Sequence, residues 1–343
     1  MPVENSVFEK LNDVSNFILN NYGFLPTQVT KLSRGSANCF KIVHENKNFF
    51  LKELQEKFTR ESLEREIALC QLIKHGGIPT SEFVKTVKGG YICEESGHLL
   101  HMQIFIDGRT YERNKFEDSL LFQSADLLGR IHCSLANVSF LPEGFSEYWF
   151  VNWNIKDSLK KYMDIKEKVK HADLRKDLQE KVISACDTKI NLLNHFDMDY
   201  IPLKNLKSVN SHGDYNNLQL ICNKKNITAV IDFSSAAKIP AVWEIIRSYT
   251  YCAKECCDGK EINFMKLKHY IDSYLKKSNL SQFDIDNMIK FYYFNLLRSS
   301  FGLNATDEEM IEFGLWRANL CEYLSKVYHE LTDYLHMQYL GQL

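Results

Sequence analysis

Apolar and polar positions change their period twice along the chain. In the N-terminal third they fall in short runs. Residues 29–32 and 39–43 read as strands around the turn-like Ser33-Arg34-Gly35-Ser36-Ala37-Asn38. Asn46-Lys47-Asn48 then leads into Phe49-Phe50-Leu51-Lys52-Glu53, a third strand. Residues 59–73 carry Leu63, Ile67 and Cys70 at helical spacing. Two more strands follow, at 90–94 and 99–106, on either side of Ser96-Gly97. Past Asp107-Gly108 the helical period dominates. An amphipathic helix is expected over 117–136 around Leu120, Leu121, Ala125, Leu128 and Ile131, with lysine-rich helices over 156–196. A break at residues 209–215 precedes a hairpin of 218–222 and 227–233 with the turn Asn223-Lys224-Lys225-Asn226. From Trp243 onward the pattern is helical again. The chain thus reads as α+β, with residues 1–107 forming a small antiparallel-sheet lobe with one helix and residues 108–343 a larger, mainly helical lobe.

The hairpin is where chemistry gathers. Asp214 stands in His212-Gly213-Asp214 before its first strand, and Asp232 ends its second, in Ile231-Asp232-Phe233. A hairpin brings its two ends together, so both carboxylates can serve one cleft. Phosphoryl transfer uses such a pair, one carboxylate to orient and deprotonate an attacking hydroxyl and one to hold the magnesium that neutralises the moving phosphate. A lone His-Gly-Asp triplet is more often an ordinary turn, since Gly and Asp favour turns for local reasons. The second Asp at hairpin distance is what shifts the balance.

His212-Gly213-Asp214-Tyr215-Asn216-Asn217-Leu218-Gln219, followed by a strand, a turn, a strand and Asp232, resembles the aminoglycoside phosphotransferase and choline kinase-like family. That family's pattern is His-x-Asp, four residues, Asn, then a hairpin and Asp. The resemblance implies a bilobal protein-kinase-like fold, Asp214 as catalytic base, and Asp232 as a magnesium ligand. The family's metal-binding Asn falls on Gln219, whose amide oxygen is also a hard ligand; Asn216 and Asn217 are out of register. Lys52, at the end of the third strand, matches the lysine that contacts the α- and β-phosphates, and Glu66 on the next helix matches its partner. Glu64 is the alternative. Ser33, Gly35, Ser36 and Asn38 belong to a loop expected to cover the phosphates, in the shorter form Gly35-Ser36-Ala37-Asn38. Gln103 to Ile106, with Gln103 and Phe105 as the expected contacts, resembles the segment that receives adenine through backbone hydrogen bonds. Leu128-Gly129-Arg130-Ile131-His132, residues 237–240 and Trp243-Glu244-Ile245-Ile246-Arg247 extend the likeness over about residues 29–250.

The implied activity is transfer of the γ-phosphate of ATP, or of GTP, with Mg2+, to a hydroxyl of a small molecule: an aminoglycoside-like antibiotic, an amino alcohol, a sugar or a homoserine-like metabolite. The alternative is a non-catalytic nucleotide-binding module, for which Gln219 speaks and Asp214, Asp232 and Lys52 speak against. A protein acceptor is disfavoured, because no Ala-Pro-Glu segment follows Asp232.

Charge and composition narrow the partners. With 42 basic against 44 acidic side chains there is no basic excess to hold a nucleic-acid backbone. No apolar run approaches the roughly 20 residues that span a bilayer, and the acidic start MPVENSVFEK is unlike a signal peptide, so the expectation is a cytoplasmic protein. The ten cysteines form no CxxC pair and read as buried reduced thiols rather than disulfides or a zinc site. Phe291-Tyr292-Tyr293-Phe294 reads as helix core before a cation-binding aromatic cage. Asp307-Glu308-Glu309 reads as the first turn of a helix capped by Thr306 before an amine-binding patch.

Overall fold

The alternating runs of the N-terminal third assemble a five-stranded antiparallel sheet in the order β1-β2-β3-β5-β4. Its strands are β1 (Gln28–Leu32), β2 (Asn38–His44), β3 (Lys47–Glu53), β4 (Ile92–Glu95) and β5 (His98–Ile104). The computed structural model describes residues 6–32, 37–55, 58–144, 154–196 and 201–342. The chain divides into two units, one of residues 1–109 with 219–236, the other of residues 110–218 with 237–343.

In the first unit the period-2 alternation of the strands gives the sheet two different faces. Phe49, Leu51, Leu100 and Met102 bury against helix α1 (Leu11–Tyr22) through Val14, Phe17, Ile18 and Tyr22. The intervening residues take the opposite face. Lys52 stands across from His101, and Phe50 across from Gln103. Helix α2 (Arg60–His75) starts at Thr59, whose hydroxyl accepts the Ser62 N–H at 3.1 Å. Its buried stripe is Leu63, Glu66, Ile67, Cys70 and Ile73, so a carboxylate rides on the apolar face.

Residues 219–236, expected with the helical part, pack instead with the first unit. They hold the hairpin β7 (Leu220–Asn223) and β8 (Asn226–Val230), with Leu220 opposite Val230 and a turn at Lys224-Lys225. The reason is a set of hydrogen bonds to the hairpin backbone. Val230 donates to the Pro79 carbonyl at 3.0 Å, and the Thr80 hydroxyl donates to the Val230 carbonyl at 2.7 Å. Arg109 and Cys222 exchange N–H···O bonds of 3.0 and 2.9 Å. Gly108 permits that clamp: its φ is +147°, and a Cβ there would lie 2.5 Å from Ile221 Cγ2 and 3.0 Å from the Cys222 carbonyl oxygen.

The second unit is built on helices. They are α3 (Asp118–Ser134), α4 (Ile155–Lys170), α5 (Lys176–Asn194), α6 (Ala241–Cys252), α7 (Phe264–Leu275), α8 (Gln282–Arg298) and α9 (Glu308–Tyr339). Strand β6 (Ser208–Ser211) pairs antiparallel with β9 (Ala237–Pro240), Val209 opposite Ile239. The aromatic run Phe291-Tyr292-Tyr293-Phe294 is buried within α8, as helix core. Asp307, rather than Thr306, caps α9 by accepting the Met310 N–H at 2.8 Å, and Glu308 is tied to Arg175. Among the described residues no helix is long and apolar enough to cross a membrane.

Candidate active site

The predicted site residues fall in both units. Each set is organised by its own scaffold.

In the first unit, strand β3 carries Lys52 onto the face opposite α1. Its ammonium lies 3.5 Å from Asp232 Oδ1. Burial works against the Lys52 charge, but the carboxylates of Asp232 and Glu66 outweigh it, and the group titrates above the usual lysine value. Asp232 follows β8 with φ 63° and ψ 66°, a left-handed conformation uncommon for a residue with a side chain. The Ser234 hydroxyl donates to its Oδ1 at 2.7 Å. Glu66, buried on α2, accepts the backbone N–H of Phe233. Burial pushes its carboxyl up to about 7, against the pull of Lys52. Lys52, Glu66 and Asp232 therefore form one electrostatic group. The direct ion pair is Lys52 with Asp232, and Glu66 acts on the same ammonium through space. His101, opposite Lys52 on β5, is fully buried, and burial together with Lys52 drives its imidazole down to about 3.

Gln219 stands at the other end of the hairpin. Its carbonyl accepts the Ile231 N–H at 3.0 Å, which sets it one residue across from Asp232. A carboxylate and an amide oxygen flanking the open end of a hairpin are hard oxygen donors, the kind magnesium takes along with waters and phosphate oxygens. Among the described residues there is no cluster of three or more His, Cys, Asp and Glu that could hold a metal ion.

The remaining nucleotide-side candidates divide. Ser33, Gly35 and Ser36 lie outside the described residues. Asn38 is buried, and its amide donates to Glu53 Oε2 at 3.0 Å. Glu53 also takes the Ser6 hydroxyl and the Val7 N–H, so the Asn38 side chain ties the adjoining ends of β2 and β3 together. Gln103 is buried on the Lys52 face of β5. The Phe105 N–H, expected to be offered to adenine, donates to the Asn48 carbonyl at 3.0 Å and is committed to the sheet. The Phe105 ring lies under the Lys41 ammonium at 4.5 Å.

In the second unit the His-Gly-Asp loop is held from below by a buried carboxylate. Glu244 on α6 accepts the Gly213 N–H at 2.7 Å and the Tyr215 N–H at 3.4 Å through one oxygen. Its other oxygen lies 3.0 Å from His132 Nε2 on α3. His132 also meets Ser211 at 2.9 Å and Tyr274 at 3.0 Å. Burial would raise the Glu244 carboxyl, but the bond and charge of His132 more than offset it, so it titrates below its usual value. Gly213 has φ +80°. That turn delivers Asp214 with its side chain 37% exposed and its carboxylate paired with the Arg247 guanidinium. The Asp214 N–H donates to His212 Nδ1 at 3.3 Å, so His212 helps to hold the loop. Asn216 spans the turn, donating to the Asp214 carbonyl and accepting the Leu218 N–H, while Asn217 donates to the Tyr111 carbonyl.

Glu244 and Arg247 had no role assigned from the sequence. Their three-residue spacing on one helix face was the available signal. Cys252 and Cys256 are buried and in no disulfide, and the His269 ring stacks on Phe122 at 4.1 Å.

The chain is a phosphotransferase of the kinase-like class, as the match to its family shows. The family model of the phosphotransferase enzyme family matches residues 28–258, and the chain belongs to that family. Among solved structures, an amicoumacin kinase in complex with AMP-PNP and Ca2+ is 15% identical, with a TM-score of 0.60 over 95% of this chain and 94% of that one. A spectinomycin phosphotransferase in complex with ADP and spectinomycin is 13% identical, with a TM-score of 0.60 over 94% and 98%. Choline kinase from Cryptosporidium parvum is 14% identical, with a TM-score of 0.59 over 96% and 99%. These likenesses show the kinase-like α+β fold. No curated protein sequence matches the chain.

Proposed function

We propose that this chain is a small-molecule kinase that moves the γ-phosphate of ATP to an acceptor hydroxyl. The observation that carries the reading is the group formed by Asp232, at a left-handed backbone position, with Lys52 at 3.5 Å and Glu66 on the Phe233 N–H. Such strain persists at functional sites because the surroundings hold it there.

Asp214 is the base: it orients the acceptor hydroxyl and takes its proton. The hydroxyl oxygen forms a bond to the γ-phosphorus as the bond to the bridging oxygen of ADP breaks, and the proton on Asp214 passes to solvent. Lys52 pairs with the α- and β-phosphates, and Glu66 steadies Lys52. Asp232 and Gln219 would hold the magnesium, which when bound neutralises charge on the transferring phosphate. Residues 1–107 then serve the nucleotide and residues 108–343 the acceptor, with residues 219–236 contributing to the nucleotide side. The nucleotides named for the amicoumacin kinase and the spectinomycin phosphotransferase support ATP as donor; GTP is the alternative to test. The ten cysteines, read from their spacing as reduced thiols, suit a reducing compartment such as the cytoplasm.

The test is incubation of the full chain with ATP, Mg2+ and a panel of antibiotics, amino alcohols, sugars and hydroxy acids. An acceptor that gains about 80 daltons, the mass of a transferred phosphoryl group, with matching ADP release supports the reading. ATP neither bound nor turned over with any acceptor would defeat it.

A further inference from the structure

Three guanidiniums converge on one tyrosine in the second unit. Arg247 lies 4.2 Å and Arg113 5.7 Å from the centre of the Tyr251 ring, and Arg317 donates to the Tyr251 hydroxyl at 3.1 Å. Arg113 stacks on Trp316 at 3.7 Å. The cluster joins the proposed base directly, since Arg247 is the residue that pairs with Asp214.

The charges in this cluster do not balance. Asp214 answers Arg247. Glu244 is spent on Gly213, Tyr215 and His132. Among the described residues no carboxylate lies within ion-pair distance of Arg113 or Arg317. The ionisable groups that act most on Arg113 are Tyr251, Tyr292, Cys256 and Cys257, none of them a carboxylate. The Arg317 Nε is buried with no hydrogen-bond partner. Aromatic faces repay part of the cost of holding such charges away from water. Stacking uses the flat face of a guanidinium, however, and leaves its N–H edge to be satisfied by something else. A partly buried positive charge without a counter-ion is costly.

We infer that the acceptor is an anion: a small hydroxy compound bearing a carboxylate or phosphate group, which Arg113 and Arg317 bind while its hydroxyl is presented to Asp214. The inference rests on the kinase reading for the role of Asp214. The cluster itself is a property of the second unit alone. A cationic amino alcohol or aminoglycoside would meet like charge here, and like charge at close range discriminates strongly.

The experiment is titration calorimetry on the full chain saturated with ADP and Mg2+, so that the nucleotide site is filled. The probes are glycerate and glycerol 3-phosphate, with neutral glycerol and cationic 2-aminoethanol as their uncharged and oppositely charged counterparts. Either anion should bind at least about tenfold more tightly than glycerol. Arg113→Met or Arg317→Met should weaken it by about tenfold to a hundredfold, as expected for loss of a charge-assisted contact. Two single variants are used so that misfolding of one, seen by circular dichroism, leaves the other to decide. Tighter binding of 2-aminoethanol, no binding of either anion, or anion binding unchanged in the folded variants would overturn the inference. Parallel ATP turnover with the same probes separates the two readings. Arg113-dependent anion binding, with ATP neither bound nor turned over with these probes or the wider acceptor panel, would sink the kinase reading and sustain the anion site; transfer to 2-aminoethanol without anion binding would do the reverse.

Discussion

Asp214 owes its position to groups that are not its neighbours in sequence. Glu244 ties the backbone on both sides of it, and Arg247 holds its carboxylate. Replacing Asp214 with Asn keeps the size and a hydrogen-bonding oxygen for Arg247, so the fold and nucleotide binding should persist. Turnover should fall by about 10²- to 10⁴-fold, the usual worth of a general base. Steady-state kinetics beside a melting curve would check this, and near-normal turnover in the folded variant would remove Asp214 from the role. At this scale the sequence pointed to residue types and spacings: His212-Gly213-Asp214, the hairpin, Asp232, and Lys52 on a strand before a helix bearing Glu66. It was silent on what each atom would be bonded to. The Phe105 N–H is taken by Asn48 and the Asn38 amide by Glu53 because of how the strands pair. Both depend on residues that spacing does not connect. Arg247 was visible only as part of a family-like helix, since its tie to Asp214 spans 33 residues and follows from how α6 packs.

The elements with clean periodicity were legible, and the five strands and α2 sit within a few residues of where alternation puts them. Helix α1 was not, because four of its twelve residues are asparagine, a poor helix former. It is helical because Val14, Phe17, Ile18 and Tyr22 cover the sheet face opposite Lys52. Two elements invite direct tests. Gly108→Ala would push a methyl group into Ile221 and the Cys222 carbonyl at an unfavourable φ. It should cost roughly 1–3 kcal/mol as overpacking does, read as a lower denaturant midpoint; an unchanged midpoint would mean that the clamp relaxes freely. The second element is the C-terminus of α8, where the Lys189 ammonium donates to the carbonyls of Leu296 and Ser299 and the Tyr162 hydroxyl to Leu297. Burial lowers the Lys189 ammonium to about 8, whereas the unfolded chain titrates near 10.4. Between those values the unfolded state binds more protons, so this residue's contribution to stability rises as pH rises from about 8 to about 10.4, by ~3 kcal/mol. Below about 8 both states hold the proton and the contribution is flat. The stability difference between wild type and Lys189→Met should therefore shift in favour of wild type across that alkaline window. A difference independent of pH would place the Lys189 pKa near its ordinary value.

At the scale of the whole molecule the chain passes between its two units three times, after residues 109, 218 and 236. The hydropathy change at Asp107-Gly108 revealed the first passage. The other two were hidden, because what assigns residues 219–236 to the first unit is backbone pairing with Pro79, Thr80 and Arg109, and backbone pairing leaves no mark in side-chain pattern. The division of labour proposed for the two units is one that mutation can resolve. Asp232 and Gln219 share a unit with Lys52, while Asp214 belongs to the other. Asp232→Ala should therefore abolish magnesium-dependent nucleotide binding, whereas Asp214→Asn should leave it within about threefold, since the base acts on the acceptor proton rather than on the nucleotide. Equal magnesium titrations for wild type and Asp232→Ala would show that another group holds the metal. Gln219→Asn is the finer test. It restores the residue of the family pattern but shortens the reach by one methylene, on a backbone fixed by the Ile231 N–H at 3.0 Å. Magnesium demands near-ideal octahedral geometry at about 2.0–2.1 Å and keeps waters where protein ligands do not reach. A direct ligand withdrawn by one methylene must be replaced by water or by a moved backbone, and either raises or lowers the magnesium concentration needed for half-maximal turnover. We expect a shift of severalfold in that concentration with the fold intact. Indistinguishable magnesium dependence and turnover in the folded variant would show that a water or the Asp232 carboxylate fills the position, and would remove Gln219 from the metal while leaving Lys52, Asp214 and Asp232 in their proposed roles.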